Sequence, residues 1–331
     1  MSVPTTLLSS TSRDVVRFVA RRTCSLLLIL SSSVLGCDRA PAPGVTDSVR
    51  AVPLDSSGSE PSPAVVASGW NVDAGSFVVL PTVDGGMTAG SLLRPEATEL
   101  TVNDTVGLGA VLGDRQLELF ARGGRVGTAR ITVERAPRIE QGCTAWPVAR
   151  LTVAGASSNL QWTSAFAARR VTPIVLDSIE GLSARDSARL VVELTRLASG
   201  LKDDTVATFR GLPFVVLHAW RTRGLDTEFV VATLARRVNQ EDAPKEERLV
   251  VVVDQTGTDA RTWTVAWHER ASGNEDELIV AEPLLAFRAG RSPDVHLLFG
   301  RDDGVALGAA VLTRGAAGWR VQWESAVAGC D

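Results

Sequence analysis

The sequence predicts a mainly β fold, a β-rich α+β protein in which antiparallel meander sheets pack against one amphipathic helix at about residues 183–200. Two observations lead to this class. From about Trp70 to the C-terminus, short apolar runs alternate with Gly, Pro and Asp, as in antiparallel strands joined by tight turns. One segment keeps the apolar period of an amphipathic helix.

The first folded part, residues 69–155, is predicted to be an N-terminal β region. Its apolar runs are rich in Val, Ile and Thr and are separated by turn residues such as Gly85-Gly86 and Gly123-Gly124. The predicted strands are residues 77–80, 91–93, 116–120 and 130–133. None of these runs has a sustained helical period.

The helix is predicted from its start signal and its apolar stripe. Ser183 is followed three residues later by Asp186, which resembles a capping box, and Gly200 lies near the end. The stripe consists of Leu190, Val191, Leu194, Leu197 and Leu201. We expect this stripe to pack on a sheet, because a membrane-surface helix would need a basic polar face that this segment lacks.

The remainder, residues 156–331, is predicted to combine this helix with an antiparallel meander, because short connections favour pairing between successive strands. The predicted strands are residues 214–220, 228–238, 249–253, 263–269, 278–285, 295–299, 306–313 and 319–327. This region forms a second domain or one domain with residues 69–155, and both alternatives stay open. Two internal similarities suggest repeated hairpins: residues 151–165 with 312–326, and residues 263–267 with 319–323. Duplication and similar packing demands both explain them.

The N-terminus has the order of an export signal. A basic segment with four arginines precedes the apolar run 25–30, and small residues follow up to Gly36. The apolar core is about twelve residues, whereas a membrane-spanning helix needs about 20. Residues 1–36 are therefore predicted to be a signal peptide.

Val34-Leu35-Gly36-Cys37 resembles the lipobox of bacterial lipoproteins. The resemblance covers residues 1–37 only. It implies cleavage between Gly36 and Cys37, lipidation of the Cys37 thiol with acyl chains such as palmitate, and attachment of the protein to a membrane of the cell envelope. The body would face the periplasm or the cell surface.

Two details of the route stay open. Arg21-Arg22 also resembles a twin-arginine export signal, so general and twin-arginine export remain alternatives. Asp38 follows the lipobox cysteine, and an aspartate there retains some lipoproteins at the inner membrane, so the choice between inner and outer membrane is open. Residues 37–68 are rich in Pro, Ser and Gly and are predicted to be a disordered tether.

Composition narrows the function classes. Removing residues 1–36 takes away four arginines and one aspartate, so the formal net charge changes from −4 to −7. An acidic chain with no basic stripe argues against nucleic acid as a partner. Cys143 and Cys330 remain after the signal and the lipidated cysteine, and in an oxidising compartment they are predicted to form a disulfide. Without CxxC spacing, no metal site and no cofactor is expected.

Four tryptophans are the candidate ligand-facing residues. Strand alternation predicts that Trp263 shares a face with Trp267, and that Trp319 shares a face with Trp323. Two roles of these tryptophans are possible: they form a stacking platform or line a ligand cavity, or they pack in the core. Core packing is favoured because the tryptophans alternate with polar residues and lie beside valines.

No local motif predicts catalysis. His218, His268 and His296 lie in strands without HExxH, GxSxG, GxGxxG or P-loop surroundings. Acidic turns, at Asp254 with Asp259, residues 274–277 and residues 302–304, could hold Ca²⁺, but aspartate is common in turns. We therefore predict no catalytic residue and no metal ligand.

Together these features favour a non-enzymatic, envelope-anchored lipoprotein that acts as a binding or assembly module toward an unknown envelope protein or apolar ligand. Within this class two forms are open: a curved meander that encloses an apolar pocket, similar to lipid-handling lipoproteins, or four-stranded units stacked as in a propeller. The competing class is an envelope hydrolase without a local motif. A histidine near a carboxylate in a large pocket would favour the hydrolase.

Overall fold

The computed structural model describes residues 69–82, 88–95, 116–133, 143–155, 160–202, 206–223, 228–238, 244–255, 262–275, 278, 281–302 and 307–329. All of them lie in one compact unit, Pro63–Asp331. The predicted signal peptide, Gly36, Cys37 and the tether lie outside the described residues. The predicted fold class is confirmed, since the described elements are mainly antiparallel strands with one α-helix.

Six strands of the N-terminal region form a closed barrel in the order β1-β2-β5-β4-β3-β6. Their bounds are β1 Val78–Pro81, β2 Ala89–Leu93, β3 Gln116–Ala121, β4 Gly124–Val133, β5 Val148–Val153 and β6 Ser164–Ala167. The barrel interior is filled by apolar side chains that include Phe77, Leu117, Leu119 and Trp162. The predicted boundary at residue 155 falls within the barrel, because β6 pairs with both β1 and β3 and closes it.

The rest of the chain forms two five-stranded sheets. The first sheet has the order β12-β11-β10-β9-β8, and the second sheet has the order β16-β15-β14-β13-β7. Their strands are β7 Val171–Ile174, β8 Leu176–Ser178, β9 Val215–Thr222, β10 Phe229–Val238, β11 Lys245–Gln255, β12 Trp263–Asn274, β13 Ala281–Ala289, β14 Val295–Asp302, β15 Leu307–Gly315 and β16 Gly318–Glu324. Each sheet is thus a four-stranded meander with one short strand added at its edge.

The helix α1, Ala184–Gly200, forms as the sequence predicts. Ser183 is its N-cap, because its Oγ accepts a hydrogen bond from the Asp186 N–H at 3.2 Å. Leu190, Leu194 and Ala198 are buried against one face of the first sheet. Within the described part of the chain, no helix combines the length and apolarity needed to span a membrane.

The elements stack in four layers: barrel, second sheet, first sheet and helix. Three apolar clusters join them. The barrel packs on the second sheet through residues such as Phe166 and Phe287. The two sheets meet through residues such as Phe229 and Phe299, and α1 covers the outer face of the first sheet. The space between the sheets is therefore occupied by side chains.

The two meanders repeat the same irregularity in their last strand pair. Val253 pairs with Val265 and Val252 with Trp267, which leaves Ala266 as an extra residue. In the second meander Leu312 pairs with Val321 and Val311 with Trp323, which leaves Gln322 as an extra residue. These β-bulges occur at corresponding positions, so residues 263–267 and 319–323 are structurally equivalent.

The bulges overturn the prediction that each tryptophan pair shares a face. An extra residue shifts the alternation of the strand by one position, so the side chains beyond it point to the opposite face. Accordingly Trp263 packs under α1 while Trp267 packs between the sheets. Trp319 packs between the sheets while Trp323 packs toward the barrel.

Each sheet therefore presents equivalent faces in the same direction. Trp263 lies on the face of the first sheet that points away from the barrel, and its equivalent Trp319 lies on the corresponding face of the second sheet. This is the stacking sense of propeller units. The other predicted similarity, residues 151–165 with 312–326, does not mark a repeated hairpin, because β15 and β16 pair whereas β5 and β6 are not neighbours.

Candidate binding groove

A cavity of about 660 Å³ lies between α1 and one end of the first sheet. We call it the helix groove. Its lining residues are Leu182, Asp186, Ala188, Arg189, Leu190, Val192, Glu193, Arg221 and Trp263. Apolar and charged side chains both contribute to this surface, which suits a ligand that has an apolar part and a charged part.

The local sequence explains how these residues meet. Asp186, Arg189, Leu190 and Glu193 follow one another at helical spacing, so they line the same side of α1. Trp263 is the first residue of β12, and its side chain is only 7% exposed, under the helix. Val192 lies outside the apolar stripe of the helix, and this aliphatic side chain is 69% exposed.

Charged groups at the groove are mostly held in place by partners. The Arg221 guanidinium lies 5.7 Å from the centre of the Trp263 ring and donates from Nε to Glu228 Oε2 at 2.8 Å. Two hydrogen bonds from Arg196 to Glu193, of 2.9 and 2.7 Å, lower the pKa of the Glu193 carboxyl, and slight burial opposes this shift.

Two further charged residues of the groove differ in their freedom. Asp186 is engaged at the helix start, because its Oδ2 accepts a hydrogen bond from Ser183 Oγ at 2.7 Å. Arg189 is exposed, and no described residue forms an ion pair with it. Arg189 is thus the cation of the groove that can contact an anionic group of a ligand.

The structure brings one of the four predicted tryptophans to this groove. Trp263 lines it. Trp319 is buried and donates from Nε1 to Asp254 Oδ1 at 3.0 Å, and Trp323 is buried and donates from Nε1 to the Pro95 carbonyl at 3.2 Å. Trp267 is partly buried, with its ring 5.9 Å from that of Phe299.

The histidines do not line the helix groove. His296 is 1% exposed, its Nδ1 lies 2.8 Å from Thr313 Oγ1, and its ring stacks on Phe287 at 5.1 Å. Burial lowers the pKa of the His296 imidazole, while Asp294 and a hydrogen bond with Gln322 oppose that shift. The His296 imidazole is thus part of the packed core and does not line the helix groove.

The other two histidines lie on strands of the first sheet. The His218 ring stacks on Trp220 at 5.7 Å, and His268 lies on the edge strand β12. Among the described residues, no group of three His, Cys, Asp or Glu side chains could hold a metal ion.

In two of the predicted acidic turns the structure describes a carboxylate, and each of these carboxylates lies close to an arginine. Asp254 Oδ2 lies 3.2 Å from Arg314, and Glu275 Oε1 lies 3.2 Å from Arg237. Asp259 and residues 276–277 and 303–304 lie outside the described residues.

The chain segments that carry Cys143 and Cys330 lie side by side. The Thr144 N–H donates to the Gly329 carbonyl at 2.7 Å, and the Gly329 N–H donates to Thr144 Oγ1 at 3.3 Å. Cys143 is not free in the structure. Cys330 lies outside the described residues, so its disulfide with Cys143 stays a prediction, which this contact supports.

Most of the groove could not be found from the sequence pattern. Leu182, Arg189 and Arg221 have no distinguishing motif, and they meet only because α1 returns across the end of the first sheet. One signal was present: Val192 lies outside the predicted apolar stripe of the helix. Comparisons with known proteins give no match to any family model, curated protein or solved structure.

Proposed function

We propose that this chain is an envelope-anchored bacterial lipoprotein that acts as a non-catalytic binding or assembly module, with the helix groove as its contact site. The observation that carries the binding role is the groove itself, a cavity of about 660 Å³ whose lining includes the largely covered Trp263 and the exposed Val192. Exposed aliphatic groups beside a partly covered aromatic ring are features of sites that receive an apolar group.

The anchor rests on the sequence 34–37 and its resemblance to a lipobox. Acyl chains on Cys37 contribute about 0.8 kcal/mol per buried methylene, so two or more chains hold the protein at a membrane stably. Residues 37–68 would let the folded part reach a partner away from the bilayer. The body would then face the periplasm or the cell surface.

The shape of the groove favours a protein partner over an enclosed small ligand. Val192 is 69% exposed, so a ligand in contact with it remains partly outside the protein. A partner segment that places an apolar side chain against Val192 and an acidic group beside Arg189 would match both parts of the lining. The partner would therefore be an envelope protein with an acidic, apolar contact segment.

The alternatives receive less support from the described residues. Carriage of an apolar ligand within the sheets would need an empty space between them, and the described side chains of the two sheets fill that layer. A hydrolase would need a free base in the groove, whereas its carboxylates Asp186 and Glu193 accept hydrogen bonds from Ser183 and Arg196 and its lining contains no histidine. We therefore favour binding without catalysis.

The test is native mass spectrometry of the processed protein isolated from its own envelope, compared among three forms. Wild type is expected to retain a partner that Val192→Glu loses, because a carboxylate placed at the apolar side of the groove is costly to desolvate. Val215→Glu is the matched control, since Val215 is 61% exposed but lies outside the groove. Equal retention by both variants, or no partner in any form, would refute the groove as the contact site.

The same spectra test the anchor. The expected mass is that of a chain beginning at Cys37 with added acyl groups. An intact, unprocessed N-terminus without acyl groups would contradict the lipoprotein assignment while leaving the groove experiment valid.

A further inference from the structure

The strands β12 and β16 are equivalent edge strands whose bulges have different surroundings. Each is the last strand of its sheet, so one side of it has no neighbouring strand among the described residues. Trp267 follows the extra residue of β12, and Trp323 follows the extra residue of β16. The two tryptophans therefore occupy equivalent positions, and their surroundings can be compared directly.

At the second sheet, residues 69–70 cover Trp323. A Cβ at Gly69 would lie 1.8 Å from the carbonyl oxygen of Gln322, so this segment passes directly against the bulge. The Trp70 ring meets the Trp323 ring edge-on, with 4.8 Å between the ring centres, and the Pro95 carbonyl accepts a hydrogen bond from Trp323 Nε1. With both contacts made, Trp323 is only 4% exposed.

Trp267 has neither contact within the described part of the chain. Its Nε1–H donates no hydrogen bond to a described residue, and the aromatic ring described next to it is that of Phe299, in the second sheet. The side chain is partly exposed and packs with Ala266 at the border of the cluster between the sheets. A covered tryptophan N–H normally has an acceptor, so Trp267 offers a ligand both an apolar surface and a hydrogen-bond donor.

Val321 adds an exposed aliphatic group to the open side of the same layer. It lies in β16 two residues after Trp319 and before the bulge, so it faces the first sheet as Trp319 does. The Val321 side chain is 41% exposed, and β16 contacts β12 across the layer. We call the surface formed by Ala266, Trp267 and Val321 the Trp267 notch.

The border of the Trp267 notch is acidic. Arg301 donates to Glu269 Oε2 at 2.6 Å and to Glu324 Oε1 at 3.0 Å, so it links β12 to β16. Glu269 is two residues from Trp267 in the sequence, and Glu324 is three residues from Val321. These two carboxylates and one guanidinium have a formal net charge of −1, and the Glu324 side chain is 52% exposed. A cation of a ligand beside Glu324 would balance this charge.

We propose that the Trp267 notch binds an extended segment of a partner protein in which an aromatic residue stands next to a basic residue. The aromatic side chain packs on the Trp267 ring as Trp70 packs on Trp323, and a backbone carbonyl of the segment accepts a hydrogen bond from Trp267 Nε1. The basic side chain lies beside Glu324.

The notch is a contact site in addition to the helix groove. Trp263 lines the groove and Trp267 lines the notch, and the two side chains lie on opposite faces of the first sheet. Failure of one site therefore leaves the other untouched. The tether of a second copy does not match the notch, because residues 37–68 contain no aromatic residue.

The test is a titration of the mature chain in detergent, labelled with 5-fluorotryptophan and followed by fluorine nuclear magnetic resonance. The chain has 8 tryptophans, and the signal lost in Trp267→Phe or in Trp323→Phe assigns each of the two signals to be compared. The probe is the peptide acetyl-Gly-Trp-Lys-Gly-amide. We expect it to shift the Trp267 signal saturably, while the signal of the covered Trp323 stays in place. Absence of a saturable shift of the Trp267 signal would overturn the proposal.

Two further peptides separate the ring from the charge. A peptide with Ala in place of Trp lacks the ring, and we expect it to leave the Trp267 signal unchanged. A peptide with Glu in place of Lys reverses the charge, and we expect its affinity to be about two- to fivefold lower. An alanine peptide that acts as strongly as the probe would overturn the aromatic contact, and equal affinities of the lysine and glutamate peptides would overturn the basic one.

Two protein variants locate the site. Val321→Lys places a cation in the notch, and we expect about a tenfold loss of affinity for the probe or more, because this charge repels the lysine of the probe and is costly to desolvate. Val215→Lys is the matched control at a 61% exposed valine of β9, three strands away from β12, and is expected to bind as wild type. Equal affinities of the two variants would overturn the proposal. If Val321→Lys does not fold, the three peptides on wild type decide.

The same spectra address a second copy of the chain as the occupant. A Trp267 signal that shifts with protein concentration in the absence of peptide, together with dimers in analytical ultracentrifugation, would show that a second copy fills the notch. That result would overturn the assignment of the notch to another protein. A Trp267 signal independent of protein concentration is the expected result.

Discussion

Replacing Glu247 with glutamine should destabilise the protein far more than the same replacement at an exposed ion pair. Glu247 is fully buried, and its two partners Arg236 and Arg270 are 7% and 8% exposed. Glutamine keeps the shape but removes the charge, so two buried guanidinium groups lose their carboxylate and one of them faces an amide donor. Breaking a buried pair in this way costs about 3–5 kcal/mol.

The control is Glu282→Gln, which removes the same charge from the pair of Arg122 and Glu282, where the side chains are 24% and 61% exposed. That change should cost at most about 1 kcal/mol. The free energy of unfolding is measured by urea denaturation followed by tryptophan fluorescence, with similar m-values required for both variants. A difference between the two variants below about 1 kcal/mol would show that the buried carboxylate does not compensate the two arginines.

Three further predictions test the core, the barrel and the helix. Because burial lowers the pKa of His296, the unfolded chain binds a proton first as pH falls below about 6.5, and wild type loses stability between that pH and the lowered folded pKa. In His296→Gln the urea midpoint should therefore change less between pH 7.5 and 5.5 than in wild type. An equal change in both proteins would contradict the lowered pKa of His296. Gly90→Ala should destabilise the barrel, because a Cβ there would lie 2.9 Å from the Trp162 ring and 2.6 Å from the nearest backbone atom. Unchanged thermal stability of Gly90→Ala would contradict this close packing. Leu194→Ala should lower the free energy of unfolding by about 2–5 kcal/mol, because it leaves a cavity under the helix. Val192→Ala, at an exposed position, should lower it by about 0.5 kcal/mol or less. Similar urea midpoints for the two variants would contradict the packing of Leu194 under the helix.

The predictable parts of the fold are those fixed by local signals. Helix α1 begins at the residue after Ser183, because the cap and the first turn lie within four residues of one another. The C-terminal strands are long apolar runs between turn residues, and their order follows from short connections. Strands β7 and β8 escaped prediction because each is short and together they cross from one sheet to the other, which depends on partners far away in the sequence.

The predicted tryptophan faces were wrong for a different reason. A β-bulge is a register shift between two strands, and no single residue type in β12 or β16 predicts it. Ala266 and Gln322, the extra residues, have ordinary strand neighbours in the sequence. Their effect is nevertheless large, since they send Trp267 and Trp323 to the faces opposite Trp263 and Trp319. The similarity of the two segments was visible in the sequence, but the face of the sheet on which each tryptophan lies was not.

The position of the helix groove follows from a mismatch between the helix and the sheet that it covers. The second sheet has another sheet or the barrel on each face, whereas the outer face of the first sheet has one helix of 17 residues, about 26 Å long and about 10 Å wide. Strand β11 has 11 residues, about 37 Å of extended chain, and five strands span about 19 Å between the outer two. One helix cannot cover such a face, so both ends stay open.

The two ends of this face have different linings. At the end near Trp263 the lining is aromatic and aliphatic with a charged border, and at the end near Phe214 it includes the last turn of α1 and several cationic side chains. Between them Leu190, Leu194 and Ala198 hold α1 on the sheet. Of the two ends, the one near Trp263 is therefore the one that suits a ligand with an apolar part.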